Sequence, residues 1–145
     1  MDKDTVSRIS ILECPDLITE DWVEEMVLLA LQGETHDLAI LFTDDAELRA
    51  MNNQFRKIDK PTNVLSFPSM HDDPYLGDIA ISVERIIEEA SAQDKEVKDH
   101  MSHIIIHGVL HLRGYDHETS DADAEIMEAL EIKLLSSINI KNPYV

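Results

Sequence analysis

The sequence predicts an α/β fold: a small mixed four-stranded sheet with about five helices, and a metal site on a long helix and the turn after it. Three observations carry that expectation. Short β-branched runs alternate with longer runs whose apolar residues recur at helical spacing. Pro61, Pro68 and Pro74 exclude a helix from the middle of the chain. Between 103 and 112, "HIIIHGVLHL" places histidines four residues apart in an apolar run.

The first element is the strand "TVSRISIL" (5–12), β-branched and alternating. A helix follows over 18–33, with Thr19 as its N-cap and Gly33 as its stop. "HDLAILFT" (36–43) is a short buried strand. Residues 44–57 form a helix with acids in its first turn, where the helix dipole prefers them. "NVLSF" (63–67) sits between prolines, which suits a short strand at a sheet edge. "GDIAISV" (77–83) is a further strand, running into a helix over 82–94. Long helices are expected over 95–113 and 120–137, the last capped by Ser120 or Asp121. The order is therefore β-α-β-α-β-β-α-α-α, with helices packed on the sheet.

A chain of 145 residues is read as one domain, 1–145. Chains of this size bury roughly 70% of their unfolded surface, enough for a core without staples. A single cysteine, Cys14, excludes an intrachain disulfide and fits a reducing cytoplasm. The N-terminus lacks the cationic-then-apolar pattern of a signal peptide. The longest apolar run, Met26 to Leu31, is far short of the ~20 residues a membrane span needs. No membrane association is expected.

The formal net charge of −18 would repel nucleic acid at long range. The charges are unevenly placed, however. Arg56, Lys57 and Lys60 cluster around a single acid, Asp59. Acids concentrate over 84–99 and over 121–131, which read as solvated helix faces. Local charge near the site, not the total, should decide the partner.

Geometry makes the histidine segment a helix if it binds metal. On a strand, His107 and His111 would lie ~13 Å apart at ~3.3 Å per residue. On a helix they stand one turn apart, with Cβ atoms at ~6 Å, and zinc needs ligand nitrogens at ~2.0–2.1 Å. Gly114 is placed to end the helix in a left-handed turn, and His117 can then return toward the first two histidines. Three imidazoles leave one tetrahedral position open, as catalytic zinc sites do. Nickel or copper would suit similar ligands. His103, a turn back, either hydrogen-bonds near the site or has no role. The spacing matches zinc proteases, but Gly108 stands where their glutamate base would be. A glycine there costs ~1 kcal/mol in a helix. Its reason is either a close-packed neighbour or room beside the metal.

"HGVLHLRGYDH" (107–117) and "RKIDKPTNVLSFP" (56–68) together resemble the YbeY family of bacterial metal-dependent single-strand endoribonucleases and ribosomal-RNA maturation factors. "GDIAIS" (77–82) is also similar to that family's pattern, and the element order agrees over nearly the whole chain. The resemblance implies a four-stranded α/β fold and one zinc ion per chain on His107, His111 and His117. It also implies that Arg56 faces the same cleft, where a guanidinium can grip a phosphate bidentately. The function it implies is cleavage of single-stranded RNA in ribosomal-RNA maturation, at the small-subunit 3′ end, and in ribosome quality control. The partners are then ribosomal-RNA precursor and the ribosome or its proteins, not DNA.

In such a reaction zinc acts as a Lewis acid or lowers the pKa of a bound water. Arg56 stabilises charge developing on phosphorus. The 2′-OH of RNA is its own nucleophile, so a strong base beside the metal is dispensable. Asp116 and Glu118 are candidate proton acceptors, or else turn and capping residues. Two other readings stand beside this one. The chain is a metal hydrolase acting on a non-RNA substrate, or a ribosome-associated assembly factor whose zinc is chiefly structural.

Overall fold

The structure is a computed structural model and describes residues 7–69, 75–116 and 120–144. Among the described residues nine elements follow one another in the expected order: β1 (Ile9–Leu12), α1 (Glu20–Leu31), β2 (Asp37–Thr43), α2 (Asp45–Arg56), β3 (Val64–Pro68), β4 (Tyr75–Ser82), α3 (Val83–Ala92), α4 (Val97–Leu112) and α5 (Asp121–Ser136). The strands form one mixed sheet in the order β1-β2-β4-β3. β1 and β4 both run parallel to β2, while β3 pairs antiparallel with β4. β3 is an edge strand, which accommodates the missing amide of its last residue, Pro68.

Local chemistry sets the helix ends. Thr19 caps α1 by accepting from the Trp22 amide at 3.1 Å. Asp44, Ser82 and Ser120 do the same for α2, α3 and α5. Of the two caps weighed for α5, Ser120 is therefore the one used. The stop of α1 differs slightly from expectation. The chain turns left-handed at Gln32 (φ 50°), one residue before Gly33.

The sheet is covered unequally. On one face, Leu38, Ile40, Phe42, Ile79 and Ile81 pack against α1, α3, α4 and α5 in the main core. On the other, α2 covers only the β3–β4 half, through Leu48 against Leu65 and Ala80. α4 is the central helix, touching α1, α3, α5, β3 and β4. Ile104, Ile105, Ile106, Val109, Leu110 and Leu112 are all buried. Each such side chain contributes roughly 1.5–3 kcal/mol relative to exposure, so the helix and the histidines on it are held firmly.

Gly108 explains how closely α4 sits on the sheet. A Cβ there would lie 3.2 Å from Cδ1 and 3.3 Å from Cγ2 of Ile79 on β4. The Ser66 hydroxyl also donates to the Gly108 carbonyl at 3.3 Å, tying β3 to the same turn. Of the two reasons weighed for this glycine, the close-packed neighbour is the one observed. A glutamate at this position would press into Ile79.

Candidate metal centre

α4 ends as the sequence leads one to expect. Gly114 is left-handed (φ 101°), its amide bonds the His111 carbonyl at 3.1 Å, and the Tyr115 amide bonds the Leu110 carbonyl at 3.1 Å. The chain therefore reverses at once, and Asp116 comes back beside the last turn. His107 and His111, one turn apart on α4, line a cleft of about 280 Å³. Arg56, Val64, Leu65, Ser66 and Asp116 complete its wall. His117 and Glu118 lie outside the described residues.

Arg56 reaches this cleft because the end of α2 is held in place. Lys57 turns left-handed, its amide bonding the Asn53 carbonyl at 3.1 Å. The buried Asn52 then clamps the following loop by donating to the Lys60 carbonyl at 3.0 Å. The last residue of α2 is thereby brought beside edge strand β3.

Behind the cleft lies a carboxylate that the sequence reading did not single out. Glu131 of α5 is fully buried. Its carboxylate meets His107 Nδ1 at 2.9 Å and His103 Nε2 at 3.1 Å. The Tyr144 hydroxyl donates to both of its oxygens, at 2.7 and 3.0 Å. Burial alone would raise the Glu131 pKa, but the hydrogen bonds from His103, His107 and Tyr144 hold it down at about 2. Burial, reinforced by Glu131, pushes the Tyr144 phenol well above its ordinary value, so it stays a donor.

The acidic run 121–131, read as a solvated face, is thus corrected at its last member. Glu131 falls on the stripe of Met127, Leu134 and Leu135, all buried. An acid on an apolar stripe was the available signal. His103 shares with His107 the carboxylate of Glu131.

One ligand atom each of His103, His107 and Glu131 lies within 4.8 Å of the others, so the group has the composition and closeness to hold a metal ion. The same arrangement suits a different division of labour. A carboxylate that takes up His107 Nδ1 fixes the ring and would leave Nε2 for a ligand, the usual way a metal-binding histidine is held.

A sequence profile described as Endoribonuclease YbeY matches residues 8–139. The chain belongs to the YbeY family. Among relatives, an Endoribonuclease YbeY of Acinetobacter baumannii is 49% identical over 119 residues, spanning 77% of this chain and 75% of that one. One of Bartonella bacilliformis is 47% identical over 122 residues, spanning 80% and 77%. The solution structure of a Thermotoga maritima protein superposes with a TM-score of 0.63 at 28% identity, over 90% of this chain and 88% of that one. YbeY membership makes the chain an enzyme of the endoribonuclease class, and the superposition supports the mixed α/β fold. Among the described residues no helix is long and apolar enough to cross a membrane.

Proposed function

We propose that this chain cuts single-stranded RNA at a phosphodiester held between Arg56 and a zinc ion on His107, His111 and His117. The observation that carries the reading is one shared cleft: Arg56, from the end of α2, and the imidazoles of α4 line the same wall. The donor set fits the metal. His107 is already oriented through Nδ1 by a buried carboxylate, and imidazole is a ligand zinc favours. When bound, zinc supplies Lewis-acid polarisation of a phosphoryl oxygen.

The protein's own groups do the rest. Arg56 grips the phosphate and balances the negative charge that builds on phosphorus. Glu131 and Tyr144 keep the His107 ring in one orientation. Asp116, on the cleft wall, accepts the proton of the attacking 2′-OH as its oxygen bonds to phosphorus; the P–O5′ bond breaks and the departing 5′ oxygen takes a proton from water. No glutamate is needed at 108, and a side chain there would press on Ile79.

The biological setting follows as part of the same proposal. The RNA is ribosomal precursor, cut near the small-subunit 3′ end and in quality control, in the cytoplasm. Because the total charge of −18 repels RNA, ribosomal proteins recruit the enzyme to its substrate.

The test is cleavage of an unstructured RNA by purified protein, with and without chelator, alongside Arg56→Ala and His111→Ala. Cleavage lost in all three cases is expected. Wild-type rates from both variants would mean a contaminating nuclease and end the proposal.

A further inference from the structure

The sheet face that α2 leaves uncovered forms a second concavity, of about 510 Å³, outside the metal cleft. Its wall is apolar: Leu12, Leu41, Met51, Phe55, Phe67 and Ala80. Phe55 is 61% exposed and Leu12 53%, high values for large apolar side chains. The Phe55 and Phe67 rings meet edge to face, with centroids 5.2 Å apart and planes at 68°. Scattered exposed apolar residues need no explanation, but an open aromatic pair in a groove does.

Its position points to an occupant. Phe55 immediately precedes Arg56, and Phe67 immediately follows Ser66; Arg56 and Ser66 both line the metal cleft. Along β3, Leu65 and Phe67 pack on the α2 side, whereas Ser66 bonds α4 on the other. The groove and the cleft are thus two sides of one edge strand. A chain lying across that edge reaches both.

Charge agrees. Arg56, Lys57 and Lys60 stand at this end of α2 in a strongly acidic protein. Asp59, the acid that lies between them in the sequence, is engaged by Arg49 at 2.8 Å. Among the described residues that line the groove Asp78 is the only charged one, and its carboxylate accepts from the Tyr75 hydroxyl. Exposed aromatic faces beside cations are how proteins hold unpaired bases: the ring stacks on the base while the cations follow the backbone.

We propose that this groove is a base-stacking platform, taking one or two unpaired bases that flank the phosphodiester held in the metal cleft, with Phe55 as its principal face. This rests on the RNA-cleavage reading and adds to it why the substrate must be single-stranded. A base in a duplex has no free face to lay on Phe55.

The experiment measures binding of a 2′-O-methyl single-stranded oligonucleotide, which cannot be cut through its 2′ position, and cleavage of the matching RNA. Phe55→Ala is expected to weaken binding on the order of 10- to 100-fold. It should raise KM while leaving kcat near the wild-type value. Phe55→Leu should behave like Phe55→Ala, because it is apolar without a π face. Phe55→Trp should bind at least as tightly as wild type, with its introduced indole quenched by the oligonucleotide. Abasic residues flanking the cut site should abolish the difference between wild type and Phe55→Ala. Melting temperatures check that each variant is folded.

If wild type binds and cuts RNA and Phe55→Ala does so with the same constants, the platform is wrong and the cleavage reading stands. Wild type that neither binds nor cuts any single strand overturns both. Concentration-dependent self-association lost in Phe55→Ala, with RNA binding unchanged, assigns the groove to a second copy of the chain and overturns the platform.

Discussion

Helix α4 carries two histidine–carboxylate pairs of equal length and opposite character. His100 meets Glu89 at 2.9 Å, and two turns later His107 meets Glu131 at 2.9 Å. In the first pair the imidazole is shut away, 5% exposed, and the carboxylate is partly in solvent. In the second the carboxylate is wholly buried and the imidazole reaches the cleft, 20% exposed. Which member is buried decides what the pair can do. His100 is locked inside, its Nδ1 without a hydrogen-bond partner among the described residues, and Glu89 also ties down Asn63. That is a packing arrangement. Glu131 lies behind His107 and leaves the cleft side of the ring to work.

The largest difference between the pairs should appear in stability. Glu131→Ala strands two imidazoles and the Tyr144 hydroxyl around a hole, at a cost of about 3–5 kcal/mol. Glu89→Ala loses bonds from a carboxylate that water can partly replace, about 1 kcal/mol. Urea unfolding of both variants measures the gap; equal losses would erase the distinction.

A gentler pair of changes isolates function. Glu131→Gln keeps the shape but weakens the hold on His107, and metal affinity should fall 10- to 100-fold. Glu89→Gln should leave metal affinity unchanged. Competition against a metal-binding dye reads both. A comparable loss in both variants would show that the whole helix, not one carboxylate, positions the site.

The smallest effect concerns pH. Burial, the leading cause, lowers the His100 pKa below 6.5, with His103 and Lys95 acting the same way and Glu89 opposing. The unfolded chain therefore takes up this proton first as pH falls. Stability should decline below about pH 6.5, with a slope of at most ~1.4 kcal/mol per pH unit from this group. His100→Gln should flatten that part of the curve. An unchanged slope would mean that Glu89 keeps the ring protonated when folded.

Much of this molecule was legible in its sequence because the signals were local. Caps at Thr19 and Ser120, the glycine at 114 and the H-x3-H spacing each depend on a few neighbouring residues, and each leads to the element observed. Pro68 marked an edge strand for the same reason. Glu131 was hidden because its meaning is tertiary. Nothing near it says that α5 brings it under α4, only that an acid interrupts an apolar stripe. Phe55 was equally silent, since its exposure depends on α2 covering half of the sheet. Gly108 stood between these cases. Its sequence posed the question, and the approach of Ile79 answered it.

On the proposed function, metal and guanidinium act on one phosphate in one cleft. Arg56→Ala separates the two, with zinc content and RNA cleavage measured on the same preparation. One zinc per chain is expected, as in wild type, with cleavage reduced ~10²- to 10³-fold. Full metal content with undiminished cleavage would contradict it.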